Sequence, residues 1–86
     1  MITRFFLYFA DVDSARKSVE RLQARGFTAE TGLGWDDPFW VTVASRQIPE
    51  SEITAVSEQM LELARSLHGD YGGHDQRPTP GRQPDR

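Results

Sequence analysis

The stretch RFFLYFADVDSARKSVERLQARGF, residues 4–27, holds a strand, a helix and the signal that ends the helix. Its first part alternates with period two. Phe5, Leu7 and Phe9 fall on one face, Arg4, Phe6 and Tyr8 on the other, and aromatic residues favour extended backbone. A strand over Met1–Ala10 is expected. Asp11 or Asp13 can cap a helix running from about Asp13 to Arg25, because a short carboxylate accepts from the first free amides. Val12, Ala15, Val19 and Leu22 recur at helical spacing. Gly26 then supplies a left-handed C′ residue and Phe27 lands at C″, where it packs back on Leu22 in a Schellman ending.

Outward from that stretch the elements alternate again. Phe27–Thr31 reads as a second strand, with Phe27, Ala29 and Thr31 facing inward. Gly32, Gly34, Asp36, Asp37 and Pro38 mark a loop. Phe39–Ser45 reads as a third strand, with Val41 and Val43 assigned to the core side and Trp40, Thr42 and Ala44 to the other. Pro49 leads into a helix to about His68, whose buried stripe is Ile53, Val56, Met60, Leu63, Ala64 and Leu67. Glu50 and Glu52 sit where the helix dipole favours negative charge, and Gly69 ends the helix. Tyr71 and its neighbours make a short fourth strand, interrupted by Gly72 and Gly73. Right-handed crossovers fold a β-α-β-β-α-β string into a ferredoxin-like α+β sandwich. That is a four-stranded antiparallel sheet with both helices on one face and strands one and three at its centre.

Eighty-six residues with 37% apolar side chains support one hydrophobic core. The expected domain covers residues 1–75. Residues 76–86 contain Pro78, Pro80 and Pro84 and no apolar side chain, which predicts a disordered tail. The longest purely apolar run, Phe5–Ala10, is far short of the ~20 residues of a membrane-crossing helix. It is also too short for the apolar part of a secretory leader. There is no cysteine, hence no disulfide framework or thiol nucleophile. A cytoplasmic location is the expectation.

The net charge of −3 is unevenly placed. Arg77, Arg82 and Arg86 oppose Asp85 in the tail, so residues 1–75 carry 7 basic and 12 acidic side chains, a net −5. An acidic domain binds phosphate backbones poorly and suits a basic protein partner, which charge of this sign steers inward. Direct nucleic-acid binding is therefore disfavoured.

Residues that could carry catalysis are few. His68 sits in the last turn of the second helix and His74 near the end of the domain, without metal-ligand spacing or a nucleophile beside them. Asp11, Asp13, Asp36 and Asp37 are explained as caps and a solvated turn, since their spacing matches no calcium loop. Gly32-Leu33-Gly34 has no helix behind it to hold a phosphate. No catalytic residue, metal or cofactor is assigned, and a non-enzymatic protein is expected. The open sheet face is more informative. Phe6, Tyr8 and Trp40 are assigned to it as partner-binding residues, flanked by Arg4 and Arg46, because contiguous exposed aromatic area usually has a partner, with ordinary cross-strand packing under the loop of Leu33 and Trp35 as the competing reading. Glu58 and Glu62, at i,i+4 on the second helix, are added as steering charges, with an ordinary solvated face as the competing reading. The alternative function is a homodimeric ligand- or RNA-binding module using the same open face.

Several of these features resemble one family. Phe6-Leu7-Tyr8-Phe9, the Asp-rich approach to a helix and Leu22-x-x-x-Gly26-Phe27 are similar to the start of domains of the regulator-of-ribonuclease-E-activity B type. Trp40-Val41 with Val43-Ala44-Ser45, the Ile48-Pro49 helix lead-in and Gly69-Asp70-Tyr71-x-Gly73 extend the resemblance over about Arg4–Asp75. Gly72 and His74 stand where that family commonly has an acidic residue and a tryptophan. The resemblance implies a small cytoplasmic α/β sandwich without catalysis, acting as an inhibitor that binds the endoribonuclease RNase E and alters RNA processing and decay.

Overall fold

In the computed structural model, which describes residues 2–33 and 39–77, the elements follow the expected order. They are β1 (Ile2–Phe9), α1 (Val12–Ala24), β2 (Thr28–Leu33), β3 (Trp40–Arg46), a single 3-10 turn (Glu50–Glu52), α2 (Ile53–Ser66) and β4 (Asp70–Arg77). The strands form one sheet in the order β2-β3-β1-β4, every neighbouring pair antiparallel. This is the ferredoxin-like arrangement, with β1 and β3 central. α1 packs over β2 and β3, and α2 over β1 and β4. β4 continues to Arg77, beyond the expected end of the domain at residue 75. Residues 78–86, and the loop expected at 34–38 with Asp36 and Asp37, lie outside the described residues.

The core sits between sheet and helices. Phe5, Leu7 and Phe9 of β1 are buried, and so are Leu22 of α1 and Met60, Leu63 and Ala64 of α2. Each large buried side chain contributes about 1.5–3 kcal/mol relative to exposure. The α1 boundaries follow from its caps. Asp11 accepts from the Ser14 amide at 2.9 Å. At the other end the Phe27 amide donates to Leu22 O and the Gly26 amide to Gln23 O, each at 3.0 Å, with Gly26 at φ 90°. Those two bonds are the Schellman pair that the Leu22, Gly26 and Phe27 spacing implies.

β3 is inverted relative to the sequence expectation. Residues opposite one another in an antiparallel pair share a face. Phe5 pairs with Ala44, Leu7 with Thr42 and Phe9 with Trp40, whereas Phe6 pairs with Val43 and Tyr8 with Val41. Thr42 and Ala44 are therefore the buried residues, and Val41 and Val43 lie on the open face. The reason is a polar contact with α1 that a valine could not make. Ser18 of α1 is fully buried against Thr42, their hydroxyls 2.9 Å apart. Ser18 Oγ donates its one proton to Ala15 O at 2.6 Å, so Thr42 is the donor to Ser18.

α2 also ends differently from the expectation. The helix stops at Ser66, and His68 lies past it rather than in its last turn. His68 occupies the left-handed C′ position at φ 62°, while Gly69 stands at C″ and its amide donates to Ala64 O at 2.7 Å. Glycine is needed one residue late because a Cβ at 69 would fall 2.5 Å from both Phe9 Cε1 and Tyr8 O. Packing against β1 overrides the usual glycine preference at C′.

Candidate functional site: the open sheet face

The face of the sheet away from the helices is built by the alternate residues of four strands. Reading across β2, β3, β1 and β4, one row is Thr28, Ser45, Arg4 and Asp75, and the next is Glu30, Val43, Phe6 and Gly73. The third row is Gly32, Val41, Tyr8 and Asp70. Phe6, Val41 and Val43 are half-buried and Tyr8 is 36% exposed, so the centre of this face is apolar and aromatic.

β4 holds both aromatic residues in place. Arg4 makes a bidentate bond to Asp75, with Nε 3.0 Å from Oδ1 and Nη2 2.6 Å from Oδ2, and its guanidinium carbon lies 5.2 Å from the Phe6 ring centre. Hydrogen bonding to the Asp75 carboxylate raises the pKa of Arg4 above its ordinary value. One face of Phe6 is thereby covered by a neutralised cation. Between Phe6 and Leu7 the β1–β4 register shifts, Gly73 adopting φ 106° while Gly72 is the extra residue. The Tyr8 ring lies against Gly72. A Cβ there would sit 2.8 Å from Tyr8 Cζ and closer still to Cε2.

The expected site residues do not all meet. Phe6 and Tyr8 lie side by side on the open face, as expected, with Arg4 beside them. Trp40 does not join them. It pairs with Phe9, lies on the helix side and packs half-buried against the core. Arg46 also faces the helix side, opposite Thr3, with its guanidinium carbon 5.3 Å from the Phe27 ring centre. The same inversion that buries Thr42 moves both. Glu58 and Glu62 are exposed on α2, Glu62 in a cleft between the helices with Arg21, Arg25 and Ser66. Val41, Val43, Asp70 and Gly72 belong to the open face and were missed. The valines carried no readable signal, since hydrophobicity places them inward and Thr42 has the same shape as valine.

The remaining chemistry-bearing residues have structural partners. The Tyr71 hydroxyl donates to Ser57 Oγ at 3.2 Å, tying β4 to α2, and lies 3.5 Å from His74 Nδ1. The His74 ring is tilted against Phe5, centres 5.7 Å apart. Bonds from Ser14 lower the pKa of Asp11, as a cap should. Among the described residues no group of three or more His, Asp or Glu could hold a metal ion. No described helix is long and apolar enough to cross a membrane.

These features define a ferredoxin-like protein whose sheet carries, on the side away from the described helices, an aromatic face. The family model described as regulator of ribonuclease activity B matches residues 1–75, and the chain belongs to that family. No curated protein matches the chain.

Proposed function

We propose that this protein is a non-catalytic regulator that binds an endoribonuclease of the RNase E type through its open sheet face and reduces its activity on RNA in the cytoplasm. Membership of a family of ribonuclease regulators carries the reading. The face around Phe6, Tyr8, Val41 and Val43, away from the described helices, supplies the surface. Such a patch, central in the sheet and containing aromatic anchors, is what a protein interface needs. Charge selects the occupant as a basic segment of the enzyme. Residues 1–75 carry a net −5, and on this face Arg4 is neutralised by Asp75 while Glu30 and Asp70 are not paired with a described cation. Glu58 and Glu62 on α2 contribute long-range steering.

The test is affinity capture from nuclease-treated lysate of the source organism, followed by binding measurements on the purified pair. Retention of the endoribonuclease, and an affinity at least about tenfold weaker for the folded Phe6→Ala/Tyr8→Ala variant, are the expected results. Return of the bait alone overturns the proposed partner and moves a homodimer on this face to the front. Unchanged affinity in the folded variant overturns the surface.

A further inference from the structure

We infer that Tyr8 and Asp70 form a recognition site for a guanidinium group, an arginine side chain of the protein partner; the inference rests on the open-face reading above. Three observations converge on this spot. Tyr8 and Asp70 are direct cross-strand partners on the open face, so their side chains stand next to each other. The Tyr8 ring turns its Cε2 edge toward Gly72 and is 36% exposed, so ring surface is open to a partner. Among the described residues Asp70 is exposed and forms no ion pair, and Arg4, two rows away, is taken by Asp75.

An aromatic ring with a carboxylate beside it matches arginine better than other side chains. The planar guanidinium stacks on the ring while its edge donates to the carboxylate. A lysine ammonium is a strongly hydrated point charge and gains less from the same pair. Phe6 cannot serve in the same way, because Arg4 already covers it. Gly72 is a positioning residue: any side chain there pushes the Tyr8 ring out of its seat.

The experiment titrates the 15N-labelled full chain with a hexa-arginine peptide and, separately, a hexa-lysine peptide. The expected shifts centre on Tyr8, Asp70 and Gly72, with the arginine peptide binding about fivefold or more tighter. Tyr8→Ala and Asp70→Asn should each weaken it about five- to tenfold, and Tyr8→Phe should not. Gly72→Ala should match Tyr8→Ala and add nothing to it. Equal affinity for both peptides overturns the site, as do shifts centred on Glu58 and Glu62 or unchanged binding by the Tyr8 and Asp70 variants. Tyr8 and Asp70 are exposed, so those variants decide the matter even if Gly72→Ala misfolds. Capture of the endoribonuclease with unaltered affinity for Tyr8→Ala and Asp70→Asn overturns this site alone. Failure of capture with the arginine-peptide site intact overturns the partner reading alone.

Discussion

His68→Gly should stabilise the protein, although it deletes a whole side chain. His68 holds φ 62°, a left-handed conformation that costs an L-residue about 1–2 kcal/mol. Glycine adopts it freely but brings about 0.4–1 kcal/mol of extra unfolded-state entropy, which offsets part of the gain. The net gain is about 0.5–1 kcal/mol, or a rise in Tm of roughly 3–6 °C for a domain of this size. The exposed imidazole has no hydrogen bond among the described residues to set against that gain. Thermal and urea unfolding followed by circular dichroism measure it. His68→Asn should fall between the two, since asparagine tolerates the conformation better than most residues. The neighbouring Gly69→Ala should go the other way by about 1–3 kcal/mol, because its Cβ would meet the Phe9 ring and the Tyr8 carbonyl. A lower or unchanged Tm for His68→Gly, with an unchanged urea slope, would refute the strain argument.

Three further outcomes follow from groups elsewhere in the fold. Thr3 is fully buried and its Oγ1 finds no hydrogen-bond partner among the described residues, so Thr3→Val should stabilise by about 1 kcal/mol in urea unfolding. Ser18→Ala should cost more than Thr42→Val, about 1–3 kcal/mol, because it strands the donor Thr42, whereas Ser18 keeps its bond to Ala15 when Thr42 is lost. A double-mutant cycle checks both the order and the coupling. The pKa of Asp11 is lowered in the folded state by its bonds from Ser14, so its contribution is fully present above the ordinary carboxylate range and is lost as pH falls through the lowered value. Asp11→Asn should be less stable than the parent at neutral pH, and an acid titration of stability should show the difference closing.

The parts of the fold legible in the sequence are those fixed by local chemistry. The alternation from Phe5 to Phe9, a cap at Asp11 or Asp13 and the Leu22, Gly26, Phe27 ending all depend on a few adjacent residues, and the structure realises each, with Asp11 as the cap. The inversion of β3 was hidden because hydrophobicity alone assigns Val41 and Val43 inward. Their true side is decided by α1, whose Ser18 supplies the acceptor that the buried Thr42 hydroxyl needs. Half of the expected open face followed that error, so Trp40 and Arg46 moved away while Phe6 and Tyr8 stayed. The left-handed His68 was equally hidden, because only contact with β1 makes glycine necessary at 69 instead. Asp70 and Gly72 entered the site through a register shift that no spacing rule announces.

That register shift also governs how copies of this protein meet in a crowded solution. β4 is an outer strand, and a flat outer strand is a template on which another chain can add hydrogen bonds without limit. With one residue out of step and Gly73 in a positive-φ conformation, β4 twists and its donors and acceptors lose their even spacing. The exposed Asp70 places negative charge along the same rim. The irregularity that seats Tyr8 therefore also guards this edge against runaway strand addition, and a substitution that regularised β4 would be expected to trade solubility for order.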